Sequence, residues 1–387
     1  MSLADIPIID TDSHVAEPPD LWTTRLPAKY RAEAPRVAWD DETGEHRWVI
    51  GDEVVSPAAF FATAGWREYL PSYPPSLDEA DPGAFDPVAR LARLDEYGIR
   101  AQVLYPNLLA FFTAAFIRKD PALGRECVRA YNDFLVEFAS ADPARLVPLM
   151  MLPFWDVDAS VAEIHRAREI GHRGILFSPF FAKAGLPDIE HERWAPILDA
   201  ASDLDLSVNF HIGFAATTTE QLKTLKQVQQ VPRAALAEVC VLGFLSNAAA
   251  ISTLTLKGVC HRHPRLRFVS VESGFGYLPF VLQALDWQFD NSGVFLDHPD
   301  WLKPSEYFFR QVYGTFWFEQ VEPAQVEAFA DNLMFETDYP HPTSLSPGPN
   351  SSSLPPRDMV ERNLAGVRPA VARKVLHDNA AAVYHLA

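Results

Sequence analysis

Carboxylates and an imidazole alternate in the stretch 8–19, which ends in two prolines. Asp10, Asp12 and His14 occupy every second position there, so in an extended strand their side chains would share one face. Because buried carboxylates without partners are costly, a metal ion explains this grouping better than an ordinary core does. The alternative is a surface strand that ends in an Asx-type turn.

Three later apolar runs also end in side chains of the types that bind metals. His211, Glu272 and Asp338 each stand at or near the end of a run rich in β-forming residues. Since the functional residues of a β/α barrel lie where its parallel strands end, we expect these side chains to meet. The sequence therefore predicts metal ligation by Asp12, His14, His211, Glu272 and Asp338, with Glu272 and Asp338 also as catalytic acid/base residues.

Two further residues are weaker candidates for the same metal site. Glu17 lies past the first strand, and His341 follows Asp338 by three residues. Each single residue also has an ordinary structural explanation. His211 alone could be a satisfied core histidine, Glu272 could lie near a helix N-cap, and Asp338 could begin a turn.

The elements that must position these residues alternate between strand and helix. Eight strand candidates are nearly all separated by helices, and they span 6–14, 100–106, 146–153, 174–178, 206–212, 266–273, 311–316 and 333–338. Such alternation indicates parallel strands with right-handed crossovers, and eight repeats close best as a (β/α)8 TIM barrel. A doubly wound open sheet is the alternative, but no Gly-rich phosphate loop follows any strand. We therefore expect one α/β domain over residues 1–387.

Residues 18–86 interrupt this regular pattern directly after the first strand. Prolines and tryptophans are scattered through the segment, and only 37–39 and 46–55 look able to pair, as a hairpin across 41–44. Long irregular insertions in compact chains are usually functional. We expect this insertion to form a lid over the site.

Composition excludes several classes of partner. The net charge is −18 and no Lys/Arg-rich run reverses it locally, so nucleic acid and membrane surfaces are unfavourable partners. A small-molecule substrate fits better. Cys127, Cys240 and Cys260 are far apart and lack CxxC spacing, and no signal peptide is evident, so we expect a cytoplasmic protein. The uncharged segment 239–256 is expected to be a buried helix or a subunit interface, which would make a homo-oligomer.

Several motifs resemble those of the amidohydrolase superfamily, in its amidohydrolase 2 branch, which includes the aminocarboxymuconate-semialdehyde and resorcylate decarboxylases. The similar segments are 10–14, which resembles the I-D-x-H-x-H opening, 210–211, 271–279, 335–341 and 378–381. The resemblance implies a TIM barrel with a metal site. This sequence departs from the branch at Asp12, where a histidine is usual, and at Glu272, where a histidine commonly acts as acid/base.

Counting the ligand groups leads to a prediction of the chemistry. So many carboxylates would be neutralised by two bridged ions, and a carboxylate-rich site favours iron, with manganese or zinc as alternatives. This resembles the non-haem di-iron hydroxylases of the same fold, so we predict an O2-dependent monooxygenase that acts on an apolar substrate. The alternatives are a non-redox decarboxylase or hydrolase of a small carboxylic acid, and a metal-free binding or scaffolding barrel.

Overall fold

Eight parallel strands form the centre of the protein. A computed structural model describes residues 3–214, 228–320 and 322–386. The strands of the described chain are β1 Ile9–Val15, β2 Arg36–Asp40, β3 Glu45–Ile50, β4 Glu53–Pro57, β5 Ala101–Pro106, β6 Leu146–Pro148, β7 Gly174–Leu176, β8 Ser207–His211, β9 Phe268–Val271, β10 Val312–Phe316 and β11 Leu333–Phe335. The eight parallel strands are buried along nearly their whole length, as parallel strands covered by helices should be.

Two arcs of parallel strands close into a barrel. One arc has the order β1-β5-β6, and the other has the order β11-β10-β9-β8-β7. Parallel bridges join them, from Met150 to Ile175 on one side and from Ser13 to Tyr339 on the other. The predicted (β/α)8 TIM barrel is therefore confirmed.

Helices surround the barrel and follow its strands. Their bounds are α1 Leu21–Arg25, α2 Pro87–Tyr97, α3 Leu108–Phe111, α4 Thr113–Lys119, α5 Pro121–Ala139, α6 Val157–Ile170, α7 Ala195–Asp203, α8 Arg233–Leu245, α9 Asn247–Leu256, α10 Val259–Arg262, α11 Leu278–Asn291, α12 Val294–Asp297, α13 Pro304–Gln311, α14 Pro323–Ala328, α15 Pro356–Asn363, α16 Pro369–Arg373 and α17 Asn379–Tyr384. Local sequence sets several ends. Asp86 caps α2 by accepting from Ala89 N, and Gly98 ends it in the left-handed conformation, at φ 67°.

The insertion after β1 contains more regular structure than its sequence suggests. Strand β2 pairs antiparallel with β3, as the predicted hairpin requires, and β4 adds a third strand. Trp48 packs on Trp22, with ring centroids 5.4 Å apart, and Trp22 packs on Phe116 of α4 at 5.6 Å. These buried aromatic contacts fasten the insertion to the barrel wall.

The uncharged helical segment differs from the expectation of burial. Helices α8 and α9 meet at Ser246, and α8 has no buried residue, whereas α9 buries about half of its residues. Val239 is 66% exposed and Leu242 is 60% exposed. By length and composition alone, the run 233–256 is also long and apolar enough to cross a membrane.

Candidate metal centre

Strand β1 carries two buried carboxylates, and the first is fully bonded to protein. Asp10 accepts from Gln102 Nε2 at 2.8 Å and from the backbone N–H of Thr337 at 2.8 Å. The Thr337 hydroxyl donates a third hydrogen bond at 2.6 Å. Asp10 thus ties β1 to the strands on both sides. The register of β1 against β5 shifts between Asp10 and Ser13, and Asp10 does not join the cluster of candidate ligands.

Two histidines face each other with the same orientation. His14 Nδ1 lies 3.1 Å from the carbonyl oxygen of Pro106, and His211 Nδ1 lies 2.7 Å from that of Ile212. A carbonyl oxygen only accepts, so each Nδ1 carries a proton and each Nε2 is the ring atom left to bind a proton or a metal ion. The two Nε2 atoms are 3.0 Å apart. Lone pairs at this distance repel each other unless a proton or a cation lies between them, and metal-bound histidines are typically oriented by such a bond.

Three carboxylates surround these two nitrogen atoms. Asp12 lies between the two rings, 3.4 Å from His14 Nε2 and 3.6 Å from His211 Nε2. Asp338 lies 3.6 Å from His14 Nε2, and Glu272 lies 3.3 Å from His211 Nε2. Both oxygens of Asp12 and Oδ1 of Asp338 are buried without a hydrogen-bond donor. Among the described residues, no Lys or Arg forms an ion pair with these carboxylates. Buried anions without donors or counter-ions indicate a place for a cation.

The pKa values in this cluster move as an excess of negative charge requires. Burial raises the pKa of Glu272 and of Asp338 well above the usual range, and the charges of neighbouring carboxylates raise them further. Burial also raises the pKa of Asp12, but His211 and His14 outweigh it and hold that pKa below its usual range. Burial lowers the pKa of His211, whereas the charge of Asp12 raises it more, to about 10.

Backbone conformation aims two of the carboxylates into the cluster. Glu272 follows β9 with φ 55°, and Asp338 follows β11 with φ 58°. Both values lie in the left-handed region, which costs a residue other than glycine roughly 1–3 kcal/mol. Glu336 supports the first of these turns, because its Oε2 accepts from the backbone N–H of Glu272 at 3.1 Å. Strain held at two converging strand ends is typical of a functional site.

Three loop residues complete the cluster, and two of them, Thr343 and Asn107, were not singled out by the sequence. The Thr343 hydroxyl is hydrogen-bonded to both Glu272 and Asp338. His341 Nδ1 lies 2.9 Å from Asp338 Oδ1, and its ring stacks on His14 with centroids 3.6 Å apart. Asn107 holds the other side of His341 at 2.6 Å. The one sequence feature that could have pointed to Thr343 is its position, as a polar residue five places after the strand-end carboxylate Asp338.

Glu17, the weaker candidate, is placed elsewhere. Its Oε1 accepts from the backbone N–H groups of Asn107 at 3.0 Å and Leu108 at 2.8 Å, at the start of α3. Burial raises the pKa of Glu17 to about 7. Glu17 therefore caps the N-terminus of α3. Within the described chain, Glu17 belongs to none of the groups of candidate metal ligands.

Aromatic rings cover the cluster, and a cavity opens beside it. Phe111 lies 6.0 Å from the His14 ring and 5.7 Å from the His211 ring, and Phe61 of the insertion lies 5.3 Å from the His341 ring. These rings limit the access of water. The cavity measures about 680 Å³ and is lined on one side by His341 and its following loop and on the other by insertion residues 63–72.

The donor set suits a divalent metal ion. Three groups each place their ligand atoms within 4.8 Å of one another, and the groups are Asp12 with His14 and His211, His14 with Asp338 and His341, and Asp12 with Glu272 and Asp338. Imidazole and carboxylate donors together suit iron, manganese or zinc. The structure thus brings together every predicted ligand except Glu17.

The chain belongs to the amidohydrolase family, because the profile described as Amidohydrolase matches residues 9–386. A gamma-resorcylate decarboxylase of Polaromonas sp. (strain JS666 / ATCC BAA-500) is 24% identical over 265 residues, which cover 65% of this chain and 76% of that protein. An amidohydrolase of Mycobacterium avium subsp. paratuberculosis K-10 has a TM-score of 0.74 and 19% identity, and the match covers 98% of this chain and 99% of that chain. A dihydroxybenzoic acid decarboxylase of Polaromonas sp. JS666, solved with bound manganese and 2-nitroresorcinol, has a TM-score of 0.59 and 18% identity, covering 98% and 97%.

These relatives correct the chemistry that ligand counting predicted. The gamma-resorcylate and dihydroxybenzoic acid decarboxylases among them are non-oxidative enzymes, so the prediction of an O2-dependent di-iron monooxygenase is wrong. The alternative of a non-redox decarboxylase fits better. The count failed because it treated every carboxylate as an anion that needs a metal. Glu17 is bound by protein donors, and burial favours the protonated form of Glu272.

Proposed function

We propose that this protein is a metal-dependent, non-oxidative decarboxylase of a small aromatic carboxylic acid. The observation that carries the proposal is the pair of Nε2 atoms of His14 and His211, 3.0 Å apart beside the donor-free carboxylate of Asp12. The named activities of the relatives support decarboxylation over hydrolysis.

Four residues would hold the metal ion, namely Asp12, His14, His211 and Asp338. A bound divalent cation would supply charge that orients an anionic substrate and draws electrons from it. We propose manganese, since a carboxylate-rich donor set suits it and a relative binds it. The predicted two-iron site would need a second ion held by Asp12, Glu272 and Asp338. Two of these residues, Asp12 and Asp338, are already proposed ligands of the first ion.

Glu272 is the proposed proton donor. Decarboxylation breaks the bond between the ring carbon and the carboxyl carbon, and the ring carbon takes a proton in place of CO2. Burial favours the protonated form of Glu272, and the Thr343 hydroxyl lies 3.2 Å from its Oε1, which fixes the side chain. Phe61 and Phe111 keep bulk water from competing for the site. Water would return the proton to Glu272 after release of product.

Reconstitution tests the proposal directly. Metal-free protein is loaded with Mn2+ and assayed for CO2 release from a panel of hydroxybenzoates, in air and under argon. We expect equal turnover in both atmospheres and no turnover in chelator. Consumption of O2 coupled to product formation, or turnover that survives complete removal of metal, would contradict the proposal.

A further inference from the structure

The cavity beside the metal centre is larger than a one-ring acid requires. At about 680 Å³ it lies within the range of roughly 300–1,000 Å³ that holds drug-sized ligands. Its near end is formed by His341 and by Thr343, whose hydroxyl is bonded to Glu272 and Asp338. A single aromatic ring at the centre would leave much of this volume to water. The extra space therefore needs an explanation.

The cavity walls offer two aromatic surfaces to a longer ligand. Trp66 and Tyr69 come from the insertion, and Tyr69 is 59% exposed. Phe244 and Phe318 come from the barrel side, with ring centroids 5.8 Å apart. Exposed aromatic rings in the lining favour a flat body that stacks on them.

One arginine lines the same cavity. Arg362 of α15 donates from Nε to Asn363 Oδ1 at 3.0 Å, and its Nη2 contacts Met359 Sδ at 2.6 Å and the Phe318 carbonyl oxygen at 3.5 Å, which leaves Nη1 without a partner among the described residues. Within the described chain no carboxylate pairs with it, although the protein carries a net charge of −18. The acidic residue of the lining, Glu68, lies 3.7 Å from Arg67 instead. Arg362 is thus a cation with donor capacity left for a ligand.

We propose that the substrate carries a second anionic group, which Arg362 binds, joined to the reacting carboxylic acid by an apolar body. This inference rests on the proposed function, because that function defines which end of the ligand reacts. The reacting carboxylate lies at the metal centre, and the apolar body packs against Trp66 or Tyr69 and Phe318. Arg362 forms an ion pair with the second anionic group. Arg362 is a specificity residue and takes no part in the chemical step.

Binding of matched acids tests this inference. The Mn2+-loaded protein is titrated calorimetrically with 4-phenoxybenzoate and 4,4′-oxydibenzoate, and with biphenyl-4-carboxylate and biphenyl-4,4′-dicarboxylate. In whichever pair has the tighter-binding diacid, we expect that diacid to bind about tenfold more strongly than its monoacid. Such a gain is typical of a charge-assisted hydrogen-bonded pair. R362Q should abolish that preference without weakening the monoacid, and R362K should keep part of it.

A neighbouring arginine provides the matched control. Arg368 is exposed and pairs with Glu327 at 2.8 Å, so R368Q removes the same charge without touching the cavity. Equal binding of diacid and monoacid in the wild type, or a preference that persists in R362Q, overturns the inference. An equal loss of preference in R368Q also overturns it, because the effect would then be one of net charge. The proposed function fails separately, if no acid releases CO2 although the diacid preference is present.

Discussion

Asp10 and Asp12 lie two residues apart on β1, and both are fully buried, yet their surroundings are opposite. Asp10 accepts from Gln102 and twice from Thr337, whereas neither oxygen of Asp12 has a donor. Asp12 instead faces His14 and His211. The difference separates a layer whose carboxylate joins strands from a layer whose carboxylate has no protein donor. Burial of a carboxylate alone does not identify a ligand; the absence of protein donors does.

The largest expected effect comes from breaking the layer that lacks donors. H211A removes one of the two facing Nε2 atoms, so we expect loss of metal retention and of turnover while the fold is kept. Metal content by mass spectrometry, with circular dichroism as the check of folding, measures this. Full metal content in a folded H211A protein would remove His211 from the ligand set.

Replacing the proposed proton donor should leave the metal in place. E272Q keeps the size of the side chain and removes its acidic proton, so kcat should fall by about 10²–10⁴ while metal content stays constant. Single-turnover assays and metal analysis on the same sample test both halves. Unchanged kcat would exclude Glu272 as the donor, and a halved metal content would show that it holds a second ion.

Breaking the other layer should affect stability and spare the metal. D10N disturbs the bonds to Gln102 and Thr337, and we expect a loss of about 2 kcal/mol in the free energy of unfolding at pH 5. Urea denaturation with and without Mn2+ measures the change. If folded D10N protein also fails to retain metal, the separation of the two layers does not hold.

A further prediction concerns the pH dependence of the stability difference between wild type and D10N. Burial raises the pKa of Asp10 from 3.8 to about 7, although Thr337 and Gln102 oppose the shift. A raised folded pKa contributes stability that is complete below pH 4 and is lost as the pH rises through 7. The advantage of metal-free wild type over D10N should therefore narrow from pH 4 to 7.5. An advantage that widens with pH would contradict this assignment.

Barrel geometry explains how much of the fold and site was predictable. The alternation of strands and helices indicated the barrel, and the convergence of its strand ends placed Asp12, His14, His211, Glu272 and Asp338 together. As metal ligands these residues stay predictions. Sequence periodicity could not show that Asp10 is bound by Gln102 and Thr337 whereas Asp12 faces the two histidines.

Residues outside the strands were not predictable in the same way. Thr343 and Asn107 reach the site from loops, where no periodicity fixes the direction of a side chain. Glu17 looked like a ligand because it follows the first strand, but nearby N–H groups bind it. The oxidative chemistry was predicted wrongly because a sequence counts carboxylates without showing which are bonded or protonated. The lid role of residues 18–86, the cytoplasmic location and the oligomeric state stay predictions.

Anomalous diffraction from crystals grown with Mn2+ tests the central claim most directly. We predict a peak within bonding distance of Nε2 of both His14 and His211 and of carboxylate oxygens of Asp12 and Asp338, at one ion per chain. An absent peak at that point, in crystals whose protein binds Mn2+ in solution, would show that the facing histidines do not form the metal centre.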